Sequence, residues 1–146
     1  MIIAINARTL MAVPRDGIGW FTLEVVRGMI RDHPEHRFVL IGDRRYDGRR
    51  AKAFRHDPDS PAAGKKKYKG FPVEGRNVEY VTMPLRTVHP LLWHVWHEFL
   101  LPPVLKRISA DVFIAPDGMI PLRTDVPCIP VIHDLNHEHR PDDIPR

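Results

Sequence analysis

The chain has 146 residues, about one domain's length, and its 43% hydrophobic and 27% charged residues are ordinary for a globular protein. Its 22 basic and 18 acidic residues give a net charge of +4. A single cysteine, Cys128, excludes an internal disulfide framework, and no apolar run reaches the roughly 18 residues of a membrane span. Because the apolar N-terminus has no basic region that would indicate a signal peptide, we expect a cytoplasmic protein.

The first third of the chain predicts a strand, a helix and a second strand. Residues 2–6 and 38–41 are short apolar runs typical of buried strands. Between them, helical spacing predicts an amphipathic helix that Asp16 caps and His33-Pro34 ends. We expect one face of this helix to carry Ile18, Phe21, Thr22, Val25, Val26, Met29 and Ile30.

A basic segment follows the second strand. Residues 44–76 hold 11 Lys and Arg against 4 Asp and Glu, a local net charge of +7, whereas the remainder holds 11 against 14, a net of −3. Residues 57–64 within it are rich in Pro, Asp and Gly, so the segment is interpreted as a mobile surface loop. It is either a plain solvated loop or a contact for an anionic acceptor or a membrane surface. Nucleic acid is not expected, because no nucleic-acid-binding motif accompanies the charge.

The rest of the chain continues the alternation of strands and helices. Residues 78–83, 111–115 and 128–132 are predicted strands. Residues 91–101 are a predicted helix, which Pro102-Pro103 breaks, and residues 104–108 a short further helical turn. The alternation predicts an α/β, Rossmann-like fold: a parallel sheet in the order 3-2-1-4-5, with helices on both faces and residues 2–6 in the centre.

Ligands of such sheets lie beyond the carboxyl ends of the strands. That rule selects four groups of residues as candidates before any further argument. They are residues 6–8 with Asn6 and Arg8, the turn Asp16-Gly17-Ile18-Gly19, the pair Asp117-Gly118, and the pair His133-Asp134.

The glycine turn is the first candidate. Gly17 and Gly19 would let the backbone amides of residues 17–19 approach a phosphate at the start of a helix. The turn lacks the third glycine of the dinucleotide-binding fingerprint. The alternative is a tight turn that needs a positive φ angle.

His133 closes the last predicted strand. It could donate to a sugar hydroxyl or stabilise developing charge, with Asp134 fixing its orientation, or it could simply pack locally. A metal site is a third interpretation, because His133, His137, Glu138 and His139 lie within seven residues. That spacing fits no closed zinc pattern, so no metal is expected.

An aromatic and histidine cluster occupies the predicted helix 91–101. Trp96 and Phe99 are expected in the core. Trp93, His94 and His97 fall on other faces, where they form either a groove for an acceptor or neighbouring domain, or ordinary surface.

The ordered motifs resemble a known family. Residues 3–10, Ile-Ala-Ile-Asn-Ala-Arg-Thr-Leu, followed by Asp-Gly-Ile-Gly-Trp-Phe at 16–21, resemble the start of a family-4 retaining glycosyltransferase of the GT-B fold. Residues 89–93, 99–102, 110–113, 115–117, 131–135 and 141–145 resemble its mannosyltransferase-like members in order and spacing. Asn6 and Trp20 depart from the family's frequent Asp and Arg.

The resemblance implies the N-terminal, acceptor-side half of a two-domain enzyme. In such an enzyme a sugar passes from a nucleotide-sugar, such as a GDP- or UDP-sugar, to a glycan, lipid or small-molecule acceptor with retention of configuration. It implies that residues 17–19 approach the donor diphosphate and that His133, with Asp134, meets the transferred sugar. Asn6, Arg8, Trp93 and Asp117 would lie on the acceptor side, and no metal is required.

The donor-binding domain has no counterpart in residues 1–146, and we expect the acceptor-side domain itself to be incomplete at its C-terminal end. The chain alone is therefore expected to be inactive. Apolar residues left uncovered in 91–101 and 119–122 favour a homodimer. The alternative function is a non-catalytic α/β binding or assembly module that reuses this fold.

Overall fold

Five parallel strands form one sheet in a computed structural model that describes residues 1–11, 16–43, 73, 75–83, 85 and 89–139. The strands are β1 (Ile2–Asn6), β2 (Arg37–Gly42), β3 (Val78–Thr82), β4 (Val112–Ala115) and β5 (Cys128–Pro130). Their order is β3-β2-β1-β4-β5, and each neighbouring pair is parallel. The predicted α/β Rossmann-like fold is confirmed, with β1 in the centre.

The two faces of the sheet bury two separate cores, because side chains alternate along a strand. One core takes Ile3 and Ile5 of β1 with Phe38 and Leu40 of β2, against the helix that follows β1. The other core packs against the helices that precede β4 and contains Ala4, Val39, Ile41, Met83, Trp96, Leu101, Leu105, Phe113 and Ala115. Helices therefore cover both faces. The carboxyl edge of the sheet, by which we mean the side where the carboxyl ends of the strands meet, lies between these helices.

Helix α1 spans Gly17–Asp32 and begins as the sequence predicts, because the Asp16 carboxylate accepts a hydrogen bond of 2.7 Å from the Gly19 amide. Both Gly17 and Gly19 lie in its first turn, so the alternative of a positive-φ turn is wrong. The buried face is made by Gly19, Thr22, Leu23, Val26 and Ile30.

The predicted face of α1 is partly wrong. Phe21 and Val25 are each 41% exposed, whereas Leu23, which the prediction omitted, is fully buried. The buried positions follow one stripe centred on Leu23 and Val26, and at about 100° per residue Phe21 points away from that stripe. This rotation frees Phe21 to lie at the carboxyl edge, beside the residues that follow β5.

The predicted break at Pro102-Pro103 does not occur. The chain is helical from Pro90 to Arg107, as α2 (Pro90–Val95), a π-helical turn (Trp96–Leu100) and α3 (Leu101–Arg107). The prolines occupy the first turn of α3, where their missing N–H groups cost least. The wider π turn rotates the positions that follow it relative to a regular helix. Phe99 is 53% exposed and His97 is 3% exposed, the reverse of their predicted places.

The remaining elements are short. A 3-10 turn spans Thr9–Met11, and α4 spans Asn136–His139. Strand β5 ends at Pro130, two residues before the end of the predicted strand, and β4 and β3 are each one residue shorter than predicted. No described helix is both long and apolar enough to cross a membrane. The predicted mobile loop at 44–76, apart from residues 73, 75 and 76, and the motif at 141–145 lie outside the described residues.

Candidate functional site

Most of the candidate residues meet at the carboxyl edge of the sheet. Asn6 is the last residue of β1, Arg8 follows it by two residues, and Asp117 follows β4 by two residues. Because β1 and β4 are paired in parallel, the residues after both strands lie side by side. The structure thus joins residues that are more than one hundred positions apart in the chain.

The Asp117 carboxylate connects Asn6 with Arg8. Its Oδ2 atom accepts a hydrogen bond of 2.9 Å from the side-chain amide of Asn6 and lies 3.6 Å from Nη1 of Arg8. The Oδ1 atom of Asn6 in turn accepts a hydrogen bond of 3.2 Å from the backbone amide of Arg8. Asn6 is only 1% exposed, whereas the side chains of Arg8 and Asp117 are 16% and 15% exposed. Asn6 is therefore the buried end of the cluster, and the ion pair between Arg8 and Asp117 lies at the surface.

A glycine turn holds Asp117 in this position. Gly118 has a φ angle of +79°, a conformation that side chains with a Cβ rarely adopt. Its amide donates to the Ala115 carbonyl over 3.0 Å, and a Cβ at Gly118 would lie 3.2 Å from the carbonyl oxygen of Val131. The turn therefore needs glycine both for its backbone angle and for the close approach of the chain after β5.

Two tryptophans border the ion pair. The Arg8 guanidinium carbon lies 5.9 Å from the centre of the Trp93 ring and 5.4 Å from that of the Trp96 ring, within the range of cation–π attraction. Trp96 is fully buried, and Trp93 is half-buried. Trp93, a predicted acceptor-side residue, is thus in one cluster with Arg8 and Asp117.

His97 lies in this cluster, although the sequence predicted it on another face of the helix. The centre of its ring lies 4.5 Å from the ring centre of Trp93 and 4.7 Å from that of Trp96. Since its Nδ1 atom is 3.0 Å from the carbonyl oxygen of Trp93, Nδ1 must carry the proton and donate. Burial lowers the pKa of His97, which favours the neutral ring and leaves Nε2 as an acceptor. That Nε2 atom is buried without a hydrogen-bond partner among the described residues.

His133 stands at the other end of the same edge. Its Nε2 atom lies 2.7 Å from the carbonyl oxygen of Pro116, so Nε2–H donates and Nδ1 is the acceptor in the neutral ring. The Phe21 ring meets the imidazole edge-on, with centroids 5.0 Å apart. Pro116 thus fixes the ring from one side and Phe21 from another. Asp134 is exposed, and its predicted orienting role stays a prediction.

The first turn of α1 borders His133 through Phe21. Gly17 is exposed, Ile18 is half-buried, and a Cβ at Gly17 would meet nothing within 4 Å. The Gly19 amide, one of the amides predicted to approach a phosphate, already donates to Asp16. A phosphate at this turn would therefore have to displace or avoid a carboxylate, and the phosphate role stays a prediction.

Pro116 and Asp117 link the two halves of the edge. The carbonyl of Pro116 holds His133, and the carboxylate of the next residue holds Asn6 and Arg8. No family model matches this chain, and searches of curated proteins and of solved structures likewise find no match. Function is therefore argued from this strip of side chains and from the fold.

Proposed function

We propose that the chain is the acceptor-side domain of a retaining glycosyltransferase that uses a nucleotide-sugar such as a GDP- or UDP-sugar. The resemblance to family-4, mannosyltransferase-like enzymes suggests the reaction. The observation that carries the proposal is the continuous strip at the carboxyl edge, in which Pro116-Asp117 joins His133 to Asn6 and Arg8. Ligands of open α/β sheets bind at this edge.

The Arg8 end of the strip suits a ligand rich in hydroxyl groups. Asp117 offers carboxylate oxygens as acceptors, and Arg8 offers several N–H donors in a fixed plane. Trp93 adds a half-buried aromatic face beside them. A few placed polar groups next to an aromatic surface are the usual components of a small-molecule site. This chemistry favours a glycan or a sugar-bearing lipid as the acceptor over an apolar ligand.

The His133 end of the strip supplies acid–base and hydrogen-bonding chemistry. Its Nε2–H is committed to the Pro116 carbonyl, so Nδ1 is the atom that faces a ligand. In the neutral ring Nδ1 accepts a hydrogen bond from a sugar hydroxyl, and in the protonated ring it donates one. The exposure of His133 leaves room for a ligand to reach it. We therefore assign His133 the contact with the transferred sugar.

A non-catalytic binding or assembly module is the second candidate function. Two exposed apolar side chains that follow β5, those of Ile132 and Leu135, favour it. Saturable binding of a ligand without sugar or nucleotide groups would favour this function over glycosyl transfer. A donor domain encoded downstream in the same reading frame would favour the transferase.

The test uses the natural-length protein that carries this chain. Glycosyl transfer is measured with UDP- and GDP-sugars and a panel of saccharide and lipid acceptors, for the unaltered protein, for His133→Ala, and for the exposed control His139→Ala. We expect transfer with retention, a turnover lowered at least about tenfold by His133→Ala, and an unchanged melting temperature in both variants. Unchanged turnover in His133→Ala would make the residue structural. Absence of transfer with every donor and acceptor would remove the proposal.

A further inference from the structure

Three potential metal ligands meet at the opposite, amino edge of the sheet, in the connection between α1 and β2. They are His33, Glu35 and His36, and one ligand atom from each lies within 4.8 Å of the other two. The Oε1 atom of Glu35 is 3.2 Å from Nδ1 of His33 and 3.6 Å from Nε2 of His36. This cluster is separate from the carboxyl-edge strip and takes no part in the proposed function.

The two distances from Glu35 to the histidines match those between ligands of one small metal ion. Zinc binds histidine nitrogens at about 2.0–2.1 Å and carboxylate oxygens at about 2.0–2.2 Å in tetrahedral geometry. Two ligands at such distances are about 3.3–3.5 Å apart, since a tetrahedron's edge is about 1.6 times its centre-to-corner distance. The two measured separations, 3.2 and 3.6 Å, bracket that value. An ion can therefore be held without a large movement of Glu35 relative to either histidine.

The backbone that carries the ligands is already fixed. The His33 amide donates to Met29 at the end of α1, and the His36 amide donates to the His33 carbonyl over 3.1 Å. From the residue that precedes β3, the side-chain amide of Asn77 donates to the His36 carbonyl over 3.0 Å. The turn is thus held by contacts from two elements, so little backbone ordering remains to oppose ion binding.

The ligand atoms are also accessible. The Nδ1 atom of His36 is buried, which leaves Nε2, the nitrogen nearer Glu35, for an ion. His33 and Glu35 are exposed, so water can complete the coordination.

We propose that His33, Glu35 and His36 bind one divalent transition-metal ion, with zinc preferred, and that water fills the remaining coordination position. Two imidazoles and a carboxylate are a ligand set that zinc accepts, whereas Mg²⁺ and Ca²⁺ select oxygen ligands. The ion would join the end of α1 to the start of β2. Sequence reasoning looked for metal ligands around His133 and missed this site, because its short spacing matches no closed zinc motif.

The test is calorimetric titration of the untagged chain with ZnCl₂, beside Mg²⁺ and Ca²⁺ as comparisons. We expect one Zn²⁺ per chain at this site, and an affinity lowered at least about tenfold by either His36→Asn or His33→Asn. His94→Asn and His139→Asn, which alter exposed histidines elsewhere, serve as matched controls and should leave that affinity unchanged. Circular dichroism establishes that each variant is folded.

A second measurement identifies the ligands directly. Co²⁺ bound to the same site should give the visible absorption of a tetrahedral ion, and this signal should be lost in His36→Asn and weakened in Glu35→Gln. Three results would overturn the proposal: no saturable Zn²⁺ binding, Zn²⁺ affinity unchanged in both His33→Asn and His36→Asn, or loss of binding in His139→Asn alone.

Discussion

Replacing Asp117 by alanine tests the centre of the carboxyl-edge strip. The change removes the acceptor for the Asn6 side-chain amide and the partner of Arg8. Because Asn6 is only 1% exposed, water cannot easily replace the lost hydrogen bond, and an unsatisfied buried polar group costs about 1–3 kcal/mol. The ion pair at 15–16% exposure adds up to about 1 kcal/mol. We expect a total loss of about 1–4 kcal/mol in the free energy of unfolding.

The assay is urea unfolding followed by tryptophan fluorescence, with thermal melting beside it. For a chain of this length the loss corresponds to a melting temperature lower by roughly 3–15 °C. Asp125→Ala removes an exposed carboxylate from the loop before β5 and should change stability by less than about 0.5 kcal/mol. Asp117→Asn keeps an acceptor for Asn6 and loses only the charge, so it should fall between the two. Equal stability of Asp117→Ala and Asp125→Ala would refute the buried network.

Three further outcomes are expected. Burial lowers the pKa of His97, so below about pH 6.5 the unfolded chain binds more protons than the folded one. The free energy of unfolding should therefore fall with decreasing pH, by at most about 1.4 kcal/mol per pH unit, until the pKa of His97 in the folded chain is passed. Subtracting the stability–pH curve of His97→Gln from that of the unaltered chain should isolate this slope. Because we propose that residues 1–146 form the acceptor side alone, the isolated chain should show no glycosyl transfer and only weak nucleotide-sugar binding. A sub-micromolar dissociation constant measured by calorimetry would contradict this expectation. We expect the chain to self-associate, because the apolar side chains of Leu91, Phe99 and Leu122 are exposed. Light scattering that gives a constant monomer mass near 16.9 kDa at all micromolar concentrations would contradict this expectation.

The parts of the fold that follow from local chemistry could be predicted from the sequence. The apolar run of β1 and the alternation of strands and helices lead to the strand order, because right-handed crossovers leave few arrangements. Asp16 as the cap of α1 is another such case, since its hydrogen bond spans three residues. These features depend on neighbours in the chain or on general rules of topology.

The parts that depend on packing could not be predicted. Leu23 and Phe21 are both apolar, and only the contact with the sheet decides which of them is buried. The π turn at Trp96–Leu100 has no simple sequence signature, and within it His97 is buried while Phe99 is exposed. His97 follows Trp93 by four residues, and its Nδ1 atom lies 3.0 Å from the Trp93 carbonyl oxygen. This spacing of one helical turn is the sequence signal that could have indicated a role for His97.

The candidate site also has parts that could be predicted from the sequence and parts that could not. The rule that ligands lie at the carboxyl ends of strands selected Asn6, Arg8, Asp117 and His133 from the sequence. Their connection through the Pro116-Asp117 turn could not be read from the sequence, because it joins residues 111 positions apart through the pairing of β1 with β4. The metal-ligand cluster was missed because its geometry depends on how the turn after α1 folds.

The most direct test of the account asks whether the carboxyl edge binds sugar-bearing ligands. Two-dimensional ¹H–¹⁵N NMR of the chain is recorded while disaccharides, and then UDP- and GDP-sugars, are added to millimolar concentration. We expect saturable shifts of the Asn6 side-chain amide, the Trp93 indole N–H and the backbone amides of Asp117 and Gly118, with no change at Asn77 on the amino edge. Shifts confined to the amino edge, or no shift with any of these ligands, would contradict it.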